Sequence, residues 1–411
     1  MRWPKGWNDP SVLALLKGTC INYLLIDDGV GLDAVAARAR ASGIQVGIAS
    51  AAPNGVNIVQ GEWPGLKMSP SGSKDVVSAG PTGAPWVDSN GWKIRLESAL
   101  RPGLAIWVDA TPKEPHLSSD SYVIGVCDSA TYGARWVISP DEKLAAGIAS
   151  QKPEALETWK KLTQAVNFFA AHADWVNYVP RAVVGVISDF SGDNEFLIQE
   201  LLNLLARTNE QYRIIVKSQV SASSFAGLRA VIYADGNPPA PELRKQILAF
   251  VESGGMLIAG PKWGLVPGAP AKYSDHPRYS SHTLGKGRVA IATSDMDDPY
   301  VVANDSVVLV SHRHDLLRFW NGGALSAFFT TSPDRKRSIA QMLFFAQELN
   351  GLITPKGPDS AAVRVAGQYR SAKLWTPGTS TSVPVTMQPE KGAVELHLPP
   401  ISRYAAVELE V

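Results

Sequence analysis

The stretch LRAVIYADGNPPAPELRKQILAFVESGGMLIAGP, residues 228–261, decides the class of fold. Its two ends, LRAVIYAD and MLIAGP, are continuous apolar runs, as in strands of a parallel sheet that is covered on both faces. Between them, APELRKQILAFVESGG has apolar residues at helical spacing and ends in two glycines. A strand, a covering helix and a second strand are the repeating unit of a doubly wound α/β domain.

The same unit continues on both sides of this stretch. Upstream, AVVGVISDF and YRIIVKS are predicted strands and EFLIQELLNLLART is a predicted helix. Downstream, LGKGRVAIA predicts a turn at Gly285 and Gly287 that leads into a strand. We therefore predict a doubly wound α/β domain over residues 181–355, with a strand order that the sequence leaves open.

Residues 1–180 alternate between short apolar runs and helix-like segments. The predicted strands are INYLLID, IQVGIAS, VNIVQ, DVVSAG, LAIWVDA, YVIGVCD and RWVIS. The predicted helices include LDAVAARARASG, WKIRLESAL and PEALETWKKLTQAVNFFAAHADWV. This alternation favours a compact (β/α)8-like barrel, and an open doubly wound sheet is the alternative.

Residues 356–411 change character again. AAVRVAGQYRSAKLWTPG, TSVPVTMQ, AVELHLPP and YAAVELEV alternate apolar and polar residues without a helical period. This pattern predicts a small antiparallel β-sandwich. Because no low-complexity linker separates the three units, we expect them to pack together.

The order of these units resembles a known group of enzymes. The stretch from LRAVIYAD to MLIAGP, followed by GKGRVAIA, is similar to the glutamine-amidotransferase-like trimerisation domain of barrel β-galactosidases. The tail from KLWTPG to YAAVELEV is similar to the small β-sandwich that closes many barrel glycoside hydrolases. The resemblance covers residues 181–411, and it extends to the barrel only at the level of fold. It implies a glycosidase, a carbohydrate substrate and a homo-oligomer, for which a trimer is the form suggested.

The chain departs from that family in its catalytic motif. The family has a glutamate at the end of barrel strand four, usually preceded by asparagine, and a second at strand seven. Here the fourth-strand region offers Asp88, and RWVIS is followed by Pro140-Asp141-Glu142. No catalytic residue can therefore be transferred by motif.

Acidic residues follow the predicted strands of the barrel, where catalytic side chains of such folds project. These residues are Asp27, Asp28, Glu62, Asp88, Asp109, Asp128 and Asp141. Glycoside hydrolysis needs two carboxylates across the scissile bond, about 5 Å apart for retention and about 6.5–9.5 Å apart for inversion. We predict Asp88 and Asp109 as the catalytic pair, with Asp128 as the third candidate. For each of them, capping of the following helix is the alternative role. The residues predicted to bind substrate are Trp63, Trp86, Trp92, Trp107, Asp27, Glu62 and Asn90.

The segment AGPTGAPWVDSNGWKIRLESAL, residues 79–100, is the most unusual loop of the chain. Its glycines and prolines fix an irregular backbone, and Trp86 and Trp92 stand on either side of Asp88. We predict an active-site loop that holds a sugar ring against a carboxylate. An aromatic plug that closes the barrel mouth is the alternative.

Composition excludes several classes of partner. Lys+Arg number 39 and Asp+Glu 38, so no bulk charge favours nucleic acid or an anionic membrane. No apolar run approaches the roughly 18 residues that a membrane crossing needs. The first residues, MRWPKGWNDP, lack the apolar core of a signal peptide. We expect either a cytoplasmic protein or one exported with its leader removed.

Other chemistries find little support in the sequence. Residues 181–352 contain no cysteine, so the nucleophile of an amidotransferase is missing. No phosphate-binding glycine motif suggests a nucleotide, and we expect no cofactor and no metal. His312 and His314 could contribute to a zinc site, but a structural or interface role is the preferred interpretation.

The sequence thus predicts a glycoside hydrolase that works through paired carboxylates at the barrel mouth. A non-catalytic carbohydrate-binding or assembly protein is the first alternative, favoured by the missing motif and the short barrel. A polysaccharide lyase is the second alternative, with Tyr132 and Arg135 as its candidate residues.

Overall fold

A computed structural model describes residues 1–28, 31–67, 86–112, 117–272, 276–349, 352–354 and 356–411. The predicted strand DVVSAG lies outside the described residues. Short 3₁₀ helices span Pro10–Leu16, Ala173–Asn177, Gly192–Asn194, Lys217–Gln219, Ala222–Phe225, Pro261–Trp263 and His312–His314.

The first part of the chain alternates strands and helices, as predicted. Its strands are β1 (Tyr23–Ile26), β2 (Gln45–Ile48), β3 (Val56–Gln60), β4 (Gly65–Lys67), β5 (Trp86–Asp88), β6 (Ala105–Asp109), β7 (Arg135–Trp136) and β8 (Val179–Pro180). Its helices are α1 (Asp33–Ala41), α2 (Gly91–Leu100), α3 (Ser119–Thr131), α4 (Glu142–Ala149) and α5 (Pro153–Ala171).

Five of these strands and residues 1–3 form a parallel arrangement with an open seam. β1 pairs with β2, and β6 pairs with both β3 and β7. Residues 1–3 join the two groups, because Arg2 forms a parallel bridge with Leu25 and its N–H donates to the carbonyl of Ile138 at 2.8 Å. The resulting order is β2, β1, residues 1–3, β7, β6 and β3. Within the described strands no pairing joins β2 to β3, so these strands do not show closure of the predicted (β/α)8-like barrel.

The predicted strand YVIGVCD is wrong, because these residues lie in α3. One side of α3 packs so closely on β7 that a Cβ on Gly125 would lie 2.8 Å from the Trp136 indole. The other side meets a sheet of the C-terminal region, where Gln341 Nε2 donates to the carbonyl of Thr131 at 3.2 Å. A helix enclosed on several sides has the same continuous apolar composition as a buried strand.

The middle of the chain forms an α/β unit around a seven-stranded sheet. Its strands are β9 (Val184–Ser188), β10 (Tyr212–Val216), β11 (Ala230–Tyr233), β12 (Met256–Ala259), β13 (Ala269–Pro270), β14 (Tyr279–Leu284) and β15 (Gly287–Ala292). Its helices are α6 (Glu195–Arg207), α7 (Pro241–Glu252) and α8 (Pro299–Val310). The order is β10–β9–β11–β12–β15–β14–β13, with the first five strands parallel. Helices α6 and α8 cover one face and α7 covers the other, an arrangement typical of doubly wound sheets.

Two antiparallel sheets make up the C-terminal β-sandwich. Their strands are β16 (Leu317–Trp320), β17 (Ala324–Thr331), β18 (Arg337–Leu349), β19 (Leu352–Thr354), β20 (Ala361–Ala366), β21 (Ser371–Trp375), β22 (Val383–Pro384), β23 (Thr386–Glu390), β24 (Ala393–Leu398) and β25 (Tyr404–Glu410). One sheet has the order β16–β20–β24–β23, and the other has the order β22–β21–β25–β18–β17–β8, with β19 paired to β18. Their facing side chains form one hydrophobic core.

The sandwich begins earlier than the predicted boundary at residue 355. Strands β16, β17 and β18 lie within residues 181–355 but pair with strands of the C-terminal region. In β18, Met342 and Phe344 face the sandwich core, whereas Leu343 and Phe345 face the core of the first unit. Because both faces are buried, β18 lacks the apolar–polar alternation that marks a half-exposed strand.

Candidate active site

The inner face of the parallel arrangement carries two of the candidate residues. In β6, Ile106 and Val108 point into the core formed with the helices, so Trp107 and Asp109 lie on the opposite face. Tyr23 of β1 lies on that same face, because its ring packs edge-to-face against Trp107 with centroids 5.1 Å apart. An aromatic wall therefore stands beside the carboxylate at the end of β6.

Arg2 lies between two carboxylates at this edge. Its guanidinium donates to Asp27 Oδ1 at 3.2 Å and also to Asp109 Oδ2. Lys5 Nζ lies 3.4 Å from Asp27 Oδ2, so two cations face two anions. The remaining oxygen, Asp109 Oδ1, is buried and has no hydrogen-bond partner among the described residues. The structure thus brings Asp27 and Asp109 together through one arginine.

Glu62 leaves β3 beside the end of β6. The N–H of Gly61 donates to the carbonyl of Asp109 at 2.9 Å, which fixes the two strand ends side by side. The Asn90 side chain holds the next peptide, accepting from the N–H of Glu62 at 2.8 Å and donating to its carbonyl at 2.9 Å. The side chain of Glu62 is exposed at this edge. Asn90 thus fixes the backbone of the site, and its amide is not directed to solvent.

Asp128 has a position different from the predicted one. It lies in α3, where it is completely buried and accepts hydrogen bonds from Ser89 Oγ at 2.6 Å, Asn90 N at 2.8 Å and Asn90 Nδ2 at 2.9 Å. Burial raises the pKa of Asp128, and these hydrogen bonds oppose the rise. Its catalytic role was predicted from a place at the end of the strand YVIGVCD, and these residues lie in α3 instead. Its contacts fix Ser89 and Asn90, the two residues that precede α2.

Asp141 caps a helix, which is the alternative role considered for the strand-end acids. Its Oδ1 accepts from Leu144 N at 2.7 Å at the start of α4, and its Oδ2 accepts from the Tyr122 hydroxyl at 2.9 Å. The residue is 4% exposed. Its carboxylate is therefore used within the fold.

Asp88 and Trp92 lie beside the α/β unit. Asp88 ends β5 opposite Gly65 of β4. Burial lowers the pKa of the Arg207 guanidinium in α6, and the nearby Glu200 and Asp88 carboxylates oppose this effect. Trp92 packs against the hydrophobic core of the α/β unit. The structure thus places Asp88 near Arg207, whereas Asp109 contacts Arg2.

The remaining predicted tryptophans have separate environments. Trp63 forms an aromatic cluster with Tyr122 and Trp136, at centroid distances of 5.3 Å and 4.9 Å. The side chain of Trp86 lies outside the described residues, so the predicted sugar clamp of Trp86 and Trp92 stays a prediction. Trp107 shares a sheet face with the predicted catalytic residue Asp109.

Sequence reasoning did not identify Arg2 or Tyr23 as site residues. Tyr23 could have been found, because successive side chains of a strand point to opposite faces. Tyr23, Leu25 and Asp27 are each two residues apart and are therefore expected on one face. Arg2 carried no such signal, since residues 1–3 are too short to predict as a strand.

Tyr132, one of the two candidate residues of the lyase alternative, is buried within the fold. Tyr132 is 9% exposed and packs against Phe328 of the sandwich, with centroids 4.9 Å apart. In the described part of the chain, no three His, Cys, Asp or Glu side chains are grouped so that they could hold a metal ion. None of the helices described has both the length and the apolar character needed to cross a membrane.

Solved structures show what this chain is similar to in fold. It resembles the α-L-fucosidase isoenzyme 2 from Paenibacillus thiaminolyticus, with a TM-score of 0.52, 13% identity, and coverage of 75% of this chain and 61% of that chain. It also resembles a rhamnosidase from Novosphingobium sp. PP1Y, with a TM-score of 0.50, 12% identity, and coverage of 93% and 38%. A β-galactosidase from Bacillus circulans sp. alkalophilus has a TM-score of 0.49 and 13% identity, with coverage of 78% and 57%.

These similarities concern the fold. The resemblance to barrel glycoside hydrolases inferred from the sequence is confirmed at that level. The chain spans less than two thirds of each of the three structures. No protein-family model matches the chain, and no curated protein matches it either.

Proposed function

We propose that the protein is a glycoside hydrolase whose active site lies on the inner face of the parallel strands, at the ends of β1 and β6. The observation that carries this proposal is Asp109 Oδ1, a buried carboxylate oxygen with no hydrogen-bond partner in the described chain, beside Trp107. The fold shared with a fucosidase and a rhamnosidase supports the same class of reaction.

Asp109 is the carboxylate that acts on the anomeric carbon in this proposal. Arg2 engages Oδ2, so Oδ1 is the oxygen left to form or stabilise the glycosyl species. Trp107 and Tyr23 supply apolar ring surface of the kind that packs against sugars. Glu62 is the proposed second carboxylate, which protonates the leaving oxygen, because its exposed side chain lies at the neighbouring strand end.

Hydrolysis of a panel of aryl glycosides tests the proposal. The panel includes α-L-fucosides, α-L-rhamnosides and β-D-galactosides, followed by plant and algal oligosaccharides. Asp109→Asn and Glu62→Gln should each lower kcat/KM at least a hundredfold, on the scale of a lost nucleophile or general acid. Asp28→Asn is the matched control, since Asp28 is an exposed acid at the end of β1 that accepts from Ser50 Oγ at 3.0 Å. Cleavage by folded Asp109→Asn at the wild-type rate would overturn the assignment.

A non-catalytic carbohydrate-binding protein is the second candidate. The observations that favour it are the open seam between β2 and β3 and the arginine that bridges Asp27 and Asp109. If the wild type cleaves no glycoside but binds one in calorimetry, and Trp107→Ala abolishes that binding, this candidate replaces the hydrolase.

A homo-oligomer, with a trimer as the form suggested, is the proposed assembly. It rests on the resemblance of the α/β unit to a trimerisation domain. Phe196 and Leu265 are 80% and 89% exposed after strands β9 and β12 of that unit, as a contact surface requires. Light scattering during size-exclusion chromatography gives the mass directly, and a 44.1 kDa species would refute the assembly.

A further inference from the structure

A cavity of about 270 Å³ lies between the first part of the chain and the β-sandwich. Asp120, in the first turn of α3, forms one side. The other sides are residues 356–359, which precede β20, and residues 400–403, which connect β24 to β25. Pockets for drug-sized ligands measure about 300–1,000 Å³ and are common at domain boundaries, so this cavity suits a smaller molecule.

The floor of the cavity is held in place by the backbone. The N–H of Ile401 donates to the carbonyl of Pro358 at 3.0 Å, and the carbonyl of Arg403 accepts from the N–H of Phe344 in β18 at 2.8 Å. Gly357 lies so close to this segment that a side chain there would collide with the Ile401 carbonyl oxygen. Because these segments are fixed to one another, binding a ligand requires little ordering of the chain.

The charged side chains that line the cavity balance one another. Arg403 donates to Asp120 Oδ2 through Nε and Nη2, each at 2.9 Å. Lys356 Nζ donates to Asp359 Oδ2 at 2.9 Å. With two cations and two anions the lining has no net charge, and a neutral ligand fits it better than an ion of either sign.

These paired groups can still form hydrogen bonds with a ligand. The side chains of Lys356 and Asp359 are 50% and 71% exposed. A carboxylate has about four acceptor sites and an ammonium group has three donors, and the pair uses one of each. Hydroxyl groups both donate and accept, so a molecule with several adjacent hydroxyls can bind the acid and the base together. Pro358, Pro400 and Ile401 provide apolar surface beside them.

We propose that this cavity binds one neutral sugar residue of a carbohydrate chain, away from the bond that is cleaved. Asp120 and Asp359 accept hydrogen bonds from its hydroxyls, and Lys356 donates to them. The carbon atoms of the sugar ring pack on Pro358 and Pro400.

The cavity lies at the same edge of the parallel strands as the proposed active site. Asp109 ends β6, and α3 follows from this carboxyl end, so Asp120 in its first turn lies on that side. Tyr122, two residues further on, packs against Trp63 with centroids 5.3 Å apart, and Trp63 directly follows Glu62. A carbohydrate chain bound at Asp109 would extend towards the cavity across the start of α3. This step rests on the proposed hydrolase function.

Calorimetric titration of the full chain with neutral hexasaccharides prepared from β-1,4-galactan, agarose and xyloglucan tests the proposal. The titrations use the Asp109→Asn background, which suppresses hydrolysis by the proposed active site. We expect at least one hexasaccharide to bind. Lys356→Ala and Asp359→Ala should each raise its Kd at least tenfold, on the scale of a lost hydrogen bond to a charged group. Ser402→Trp should do the same, because an indole at this lining position fills the cavity.

Lys160→Ala and Glu157→Ala are the matched controls. Lys160 Nζ lies 3.6 Å from Glu157 Oε2 in an exposed pair three residues apart on α5, and Lys356 and Asp359 have the same spacing. Both controls should bind the hexasaccharide as the parent chain does. Circular dichroism identifies any variant that fails to fold, and the three cavity variants report independently of one another.

Kinetics separate this proposal from the proposed hydrolase reaction. With Asp109 restored, the cavity variants should raise KM for the hexasaccharide and leave kcat/KM for aryl monoglycosides unchanged, because these short substrates do not reach the cavity. If no glycoside is cleaved but the cavity variants weaken hexasaccharide binding, the hydrolase is refuted and the cavity proposal stands.

Three results would overturn the cavity proposal. The first is that none of the hexasaccharides binds the folded chain at millimolar concentration. The second is an unchanged Kd in folded Lys356→Ala, Asp359→Ala and Ser402→Trp variants. The third is binding of trigalacturonate at least tenfold tighter than that of the hexasaccharides, which would show that Lys356 and Arg403 bind an anion.

Discussion

Replacing Asp128 with alanine should destabilise the fold by about 3–5 kcal/mol without removing a catalytic group. The buried carboxylate accepts three hydrogen bonds, one from Ser89 and two from Asn90. Hydrogen bonds to a charged group contribute about 1.5–3 kcal/mol each, or about 4.5–9 kcal/mol together. The substitution also removes the cost of burying a carboxylate, which is several kcal/mol, and it leaves the Asn90 donors unsatisfied. Each neutral donor left buried without an acceptor costs about 1–3 kcal/mol, so we expect a net loss of about 3–5 kcal/mol.

Urea unfolding of Asp128→Ala, followed by tryptophan fluorescence and circular dichroism, gives the change in free energy. Asp33→Ala is the control, because Asp33 is an exposed acid in the first turn of α1 and should contribute less than about 1 kcal/mol. Activity of the folded fraction is measured in parallel. The structural role would be refuted if Asp128→Ala lost less than about 1 kcal/mol while a glycosidase activity fell a hundredfold or more.

Two further predictions concern α3 and the cysteines. Gly125→Ala should destabilise the protein by about 1–3 kcal/mol, because its Cβ would lie 2.8 Å from the Trp136 indole. A thermal shift assay measures the change, and unchanged stability would mean that β7 moves freely to make room for the methyl group. Iodoacetamide should label Cys20, which is exposed, and spare Cys127 in the native protein, since burial raises the pKa of the Cys127 thiol. Peptide mass spectrometry reads out both sites, and rapid labelling of Cys127 would contradict the packing of α3.

The α/β unit could be predicted from the sequence because its elements have unambiguous patterns. The runs in residues 228–261 became β11, α7 and β12 as predicted. Its strands are buried on both faces and its helix α7 has one exposed face, so the two types of segment differ clearly in composition.

Prediction was wrong where a segment is buried on more sides than usual. The helix that contains YVIGVCD lies between β7 and the sandwich, and β18 lies between two cores. Both have apolar residues buried on more than one face, so neither has the simple periodicity that distinguishes a helix from a strand. The described strands do not show closure of the predicted barrel. Pairing between strands depends on long-range contacts, which no local sequence pattern encodes.

The site was predicted in part, and the part that was missed depends on the order of strands. Asp27 and Asp109 follow apolar runs, which is why each could be named from the sequence. They are 82 residues apart in the chain, and their strands are separated in the sheet by residues 1–3 and β7. Adjacent strands are about 4.8 Å apart, so two carboxylates separated by two intervening segments are too far apart to be in contact. Only a long side chain between them can contact both. Arg2 supplies it because residues 1–3 pair with β1 and β7 together, a pairing that no local sequence pattern indicates. In the proposed hydrolase, this arginine determines which carboxylate oxygen is available, because it engages Asp27 and one oxygen of Asp109 and leaves Asp109 Oδ1 without a partner in the described chain.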